Sequence, residues 1–147
     1  MKVVAKNKRA SFEYFFIEKF TAGIVLTGTE IKSIRAGKTT ITEAYCVMFK
    51  DELWIKNMHI AEYTHGNIYN HEPKRNRKLL VTKKELKKIR TKHVEKGVTI
   101  IPTLLFINEK GLAKIEIALA KGKKLYDKRD SIKDRDVLRE TDRKIKI

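Results

Sequence analysis

A mainly β fold, a small antiparallel barrel with two or three short helices and a basic C-terminal tail, is predicted by three features of the chain. Short runs rich in aromatic and β-branched residues recur between residues 12 and 120, separated by turn-forming stretches. Two segments break that pattern with helical spacing and clear end signals. From Lys121 onward the apolar pattern collapses while basic residues stay dense. The chain has 147 residues, enough to bury a core without a disulfide or metal staple. We therefore expect one OB-like folded body over 1–120 and a basic tail over 121–147, disordered when free.

Residues 12–17 and 23–28 read as strands joined as a hairpin by a short polar link. One face of such a strand must be buried, so four of the aromatics around Phe12, Tyr14, Phe15 and Phe16 are expected in the core. Residues 29–36 change period: Ile31 and Ile34 fall at i and i+3, and Gly37 follows as a C-terminal cap, which predicts a short helix. Residues 41–49 resume strand character, and Lys50, Asp51 and Glu52 turn the chain into a strand over 53–57. Residues 64–78, with Gly66, Pro73, several Asn and a basic run from Lys74 to Lys78, read as a loop.

The clearest helix follows. Thr82 and Glu85 form a capping box, and Val81 and Leu86 take the two positions of a hydrophobic staple. Leu86, Ile89 and His93 share one face, Lys84, Lys87 and Lys88 point away, and Gly97 ends the helix. Residues 98–107 and 112–120 are strands joined by Asn108, Glu109, Lys110 and Gly111, with glycine placed for a positive φ. In the second strand Ala113, Ile115, Ile117 and Leu119 face one way, Lys114 and Glu116 the other. Pro102 requires an edge position or a bulge. Six or so strands, mostly hairpin-connected, with two small helices inserted, fit a barrel of the OB type or a relative, which does not by itself establish function.

The formal net charge is +16 and is unevenly distributed. Residues 10–72 carry six basic and eight acidic groups, whereas 73–96 carry eleven basic against two acidic and 121–147 eleven against six. Such segregation costs self-repulsion, and a polyanionic partner is the ordinary reason to tolerate it. Solubility alone is the plainer account, but it needs only modest charge of mixed sign. No segment approaches the roughly 18 apolar residues of a spanning helix, and the N-terminus lacks an apolar signal core, so no membrane role is expected. Cys46 is the only cysteine and lies in an apolar run, as a buried thiol would. His59, His65, His71 and His93 show no ligand spacing, so no metal or cofactor is expected, and the cytosol is the natural compartment.

Catalytic signatures are missing: there is no P-loop, dinucleotide glycine motif or HExxH. A nuclease would need His65 or His71 beside Glu72 as general base, but such groups in a polar loop are usually just solvated. Binding is better supported, because Asn7, Lys8 and Arg9 directly precede the aromatic run. Cations neutralise phosphates there, and an exposed ring stacks on an unpaired base.

The stretches Asn7-Lys8-Arg9-Ala10, Glu13-Tyr14-Phe15, GIVLTGTEIKSIRAGK over 23–38, Arg77-Lys78-Leu79-Leu80 and AKGKKLYDKR over 120–129 resemble the SsrA-binding protein family, also called small protein B. The likeness spans essentially the whole chain. It implies an OB-like barrel, not an enzyme, that grips the tRNA-like domain of bacterial transfer-messenger RNA at its D-loop and elbow. It further implies promoted alanine charging, hence an indirect link to alanyl-tRNA synthetase, and delivery with elongation factor Tu to stalled ribosomes in trans-translation. By position, Asn7, Lys8, Arg9, Tyr14, Leu80 and Lys114 lie at or beneath the RNA-gripping surface, with Lys38, Arg77 and Lys78 beside them. Lys121, Lys123, Lys124, Tyr126, Lys128 and Arg129 belong to a tail that enters the message channel near the decoding centre of the small subunit.

Plain alternatives stay open: Leu80 as barrel support, Lys114 as a solvent-side lysine, Lys38 as a counter to the helix dipole, Tyr126 as an idle linker residue. Two departures are visible. Thr21 stands where the family commonly has an acidic residue, and the family's tail usually continues somewhat beyond the point where this chain ends at Ile147. A generic OB-fold binder of single-stranded nucleic acid, or a ribosomal protein, fits the charge equally well.

Overall fold

The computed structural model describes residues 1–63 and 70–123. In chain order these form β1 (Lys2–Lys6), α1 (Lys8–Glu13), β2 (Tyr14–Ile24), α2 (Gly28–Arg35), β3 (Thr39–Thr40), β4 (Tyr45–Phe49), β5 (Glu52–Lys56), β6 (His59–Ile60), β7 (Arg77–Leu80), α3 (Lys83–His93), β8 (Val98–Ile107) and β9 (Ala113–Gly122). β9 pairs with β2 along one edge and β8 along the other, so β8, β4, β5, β7, β2 and β9 close into an antiparallel ring. β1 extends the ring beside β8, and β3 pairs with β6 as a separate ribbon. Closure leaves few unpaired strand edges, as the predicted antiparallel β class requires.

The interior is filled by alternate strand residues. Ile55, Ile100, Leu105, Ile115 and Ile117 are fully buried, joined by Ile34 from α2 and Ile89 from α3. Ala113, Ile115, Ile117 and Leu119 face inward as expected. Ala120 on the reverse side is buried too, with Ala10 and Ile101, in a small second cluster that Tyr14 and Phe16 pack against. The two longer helices close opposite ends of the ring. Arg35 of α2 donates to the carbonyl of Gly111 in the β8–β9 turn at 3.3 Å. α3 leads into the start of β8 and pairs Lys88 with Glu18 at 3.0 Å and Arg90 with Asp51 of the β4–β5 turn at 3.7 Å.

Local signals are met closely. Both arms of the Thr82–Glu85 capping box are formed, and Gly37 and Gly111 adopt φ of +78° and +80°. Pro102 sits at a register shift in β8, the bulge alternative, since β8 is paired on both sides.

Several expectations are corrected. The hairpin of 12–17 with 23–28 does not form; β2 is one strand of eleven residues because β9 pairs with it from Tyr14 to Gly23. Residues Lys8–Glu13 are helical, capped by Asn7, whose Oδ1 accepts from the Ala10 N–H at 3.2 Å. Phe12 rides that helix 74% exposed, Phe15 is 60% exposed, and Tyr14 and Phe16 are half-buried, so the four aromatics are not core. Residues 41–44 are a turn, which shortens the strand of 41–49 to β4. The segment 64–78 ends in strand β7 rather than staying a loop. α3 ends at His93, and Gly97 belongs to the turn after it. β9 runs to Gly122, so Lys121 lies in the sheet. Among the described residues no helix is long and apolar enough to cross a membrane.

Candidate nucleic-acid interface

The first patch is built on α1 and the start of β2. Asn7 is buried; its Nδ2 donates to the Pro102 carbonyl at 3.0 Å, and its backbone N–H to the Thr103 carbonyl at 3.0 Å. It therefore positions its neighbours and does not face solvent. Lys8 is exposed and makes no ion pair among the described residues. Arg9 is shared between Glu43 at 3.1 Å and Glu13 at 3.4 Å, all three half-exposed or more. Pairs of this kind are worth little in water, so a phosphate can replace either carboxylate. Beside Arg9 lies a cleft of about 460 Å³ that Tyr14, Tyr45 and Thr99 help to line. Lys121 and Lys123 belong to the same patch: Lys121 faces Phe15 in register, and Lys123 Nζ donates to the Ser11 carbonyl at 3.1 Å and sits 5.1 Å from the Phe15 ring.

The second patch lies on the outer wall of β7, β2 and β9. Gly23 is in register with both Leu80 and Lys114. A Cβ built on Gly23 would lie 3.6 Å from Leu80 Cβ and 3.8 Å from Lys114 Nζ, so the missing side chain leaves both groups uncovered. Leu80 is 51% exposed and points away from the core. Nine residue steps along β2 separate Tyr14 from Gly23, roughly 30 Å. A ligand touching both patches must be an extended surface. Lys38 is exposed after Gly37, at the α2 end.

Arg77 corrects the expectation of an RNA contact. β7 alternates, so Arg77 and Leu79 point inward and Lys78 and Leu80 outward. Arg77 has no exposure: its Nε donates to Glu30 Oε2 at 2.7 Å, and its other nitrogens to the carbonyls of Met58, Pro73 and Glu72. Glu30, also fully buried, takes Arg75 on its other side at 2.7 Å. Burial alone would raise the Glu30 carboxyl, but hydrogen bonds from Arg75, the Thr27 N–H and Arg77 outweigh it and hold the group at about 2. Burial lowers Arg77 from its ordinary value, and Glu30 raises Arg75. This network fastens the chain around Arg75 and Arg77 to α2. Lys78 is outward but engaged with Glu52 at 3.0 Å.

Lys124, Tyr126, Lys128, Arg129 and His65 lie outside the described residues. Sequence reasoning missed the exposed aromatics Phe12, which a helical reading of residues 8–13 after the Asn7 cap would have turned outward, and Phe15, on the solvent side of β2. It also missed that Glu116 is the cross-strand partner of Thr21, so a carboxylate stands beside the position where the resemblance expects one. Among the described residues no group of three His, Cys, Asp or Glu is arranged to hold a metal ion.

Comparisons with known proteins place the chain in a family. The SsrA-binding protein of Phocaeicola vulgatus is 61% identical over 141 residues, covering 96% of this chain and 94% of that protein. The SsrA-binding protein of Cytophaga hutchinsonii is 63% identical over 138 residues, covering 94% and 90%. A solved chain described as "tmRNA-SmpB: a journey to the center of the bacterial ribosome" superposes with a TM-score of 0.69 at 42% identity, covering 82% of this chain and 84% of that one. The family model for SmpB protein matches residues 4–147, and with that near-complete span the chain belongs to the SmpB family.

Proposed function

We propose that this protein binds the tRNA-like domain of transfer-messenger RNA and accompanies it to stalled ribosomes in trans-translation, acting by holding RNA and not by catalysis. The observation that carries this reading is the 42% identity to a chain solved under the description of tmRNA, SmpB and the ribosome. The surface supports it: two outward patches about 30 Å apart along one strand suit a folded RNA better than a single strand threaded through one groove. Lys8, Arg9, Tyr14, Leu80 and Lys114 touch the RNA, Lys38 adds a phosphate contact, and Asn7 positions α1. The segment from Lys124 onward, with Tyr126, Lys128 and Arg129, reaches the small-subunit RNA near the decoding centre, with Lys121 and Lys123 at its base. Elongation factor Tu and alanyl-tRNA synthetase meet the protein only through the shared RNA, in the cytoplasm.

The test is capture from a bacterial lysate followed by sequencing of the bound RNA. Strong enrichment of transfer-messenger RNA over other RNAs is expected. Equal recovery of all RNAs would instead identify a generic nucleic-acid binder.

A further inference from the structure

The wall that presents Leu80, Gly23 and Lys114 also presents a carboxylate. Glu116 lies two residues from Lys114 on the same face of β9, opposite Thr21 on β2 and Leu104 on β8. Its side chain is 28% exposed. Oε1 accepts from Thr103 Oγ1 at 2.7 Å and stands 3.8 Å from Lys19 Nζ, while Oε2 takes no hydrogen bond from any described residue. Thr103 occupies the bulge of β8 between Pro102 and Leu104, and its hydroxyl also lies 3.2 Å from the Glu116 carbonyl. The extra residue of a bulge re-aims a side chain, and here it fixes the carboxylate by one oxygen and leaves the other facing out.

A fixed anion on a face that receives a polyanion weakens binding by repulsion unless the ligand brings it a donor. Phosphates only accept. The donors that distinguish one nucleotide from another are the amino and imino N–H groups of base edges, which are available where bases are unpaired. We propose that Glu116 is a nucleotide-reading residue, whose Oε2 accepts a hydrogen bond from the amino or imino edge of an unpaired base docked on the Leu80–Gly23–Lys114 wall. This assignment rests on the function proposed above. Gly23 leaves space for the base to approach, and Lys114 stands ready for the adjoining phosphate.

The full chain is tested at one salt concentration against two probes: a transcript of the tRNA-like domain, and a fully paired RNA duplex of equal length that offers phosphates but no unpaired edge. Glu116→Met keeps length and removes both charge and acceptor, and Glu116→Gln retains a weaker neutral acceptor. Affinity for the tRNA-like domain is expected to fall about tenfold in the Met variant and less in the Gln variant, while duplex affinity holds or rises in both. If both affinities rise together in either variant, Glu116 is a repulsive charge held by Thr103 and the assignment is wrong. A wild-type chain with no preference for the tRNA-like domain would overturn the proposed function, and the role of Glu116 with it. Preference left intact in Glu116→Met overturns the role of Glu116 alone.

Discussion

Glu30 is the side chain that holds the buried ion-pair network together. It joins Arg75 and Arg77 on one side and closes the Thr27 capping box on the other, its Oε1 accepting from the Thr27 N–H at 2.8 Å. Replacing it by Gln leaves Arg77 buried without its counter-ion, and removing one partner of such a pair costs about 3 to 5 kcal/mol. Glu30→Gln should therefore lower the urea midpoint sharply, and an unchanged midpoint would show the network to be dispensable. The pH dependence follows from the same group. Its carboxyl is held at about 2 in the folded chain, below the roughly 4.3 of an unfolded Glu. The unfolded chain therefore binds the proton first, so this contribution is fully present above about pH 4.3 and is lost as the pH falls toward 2. Acid melts of the wild type should lose stability in that window, with a shallower loss in Glu30→Gln. Arg77 itself was misjudged from sequence because a run of cations reads as one solvated cluster; its spacing of two from core Leu79 was the available sign that it turns inward.

At the scale of elements, the sequence was most informative where the signal is local. The capping box of α3 is written in Thr82 and Glu85, and both of its bonds are present at 3.1 Å. Thr82→Ala should cost about 1 kcal/mol in thermal stability, and a loss well under half of that would mean that the packing of Ile89 alone holds the helix. α1 is the opposite case. Six residues are too few to be helical on their own, and α1 exists because Asn7 is tied to Pro102 and Thr103, 95 and 96 positions away in sequence. The expected split of β2 fails for the same reason: residues 18–22 read as a polar link between two strands, whereas β9 pairs along β2 from Tyr14 to Gly23.

Over the whole molecule the net charge of +16 favours a polyanion, and the number of phosphates its cations neutralise sets how binding responds to salt. If about five to eight phosphates are neutralised, the logarithm of affinity for the tRNA-like domain should fall against the logarithm of salt with a slope of roughly −4 to −7. A slope near zero would remove the electrostatic basis of the interface. By itself the sequence determined the antiparallel β class, the glycine that ends α2, the capping box of α3, the β8–β9 hairpin, the inward set Ile115, Ile117 and Leu119, and the polyanionic character of the partner. Those follow from period, propensity and charge, which act over a few residues or add over all of them. Only the tertiary structure decided that Arg77 is buried, that Asn7 supports α1 from beneath, that Leu80 and Lys114 flank Gly23, and that Glu116 faces Thr21. Each of these is a matter of which strand pairs with which, and in what register. Pairing between distant segments is selected by the burial of the shared core, a sum over the whole ring that no window of sequence contains.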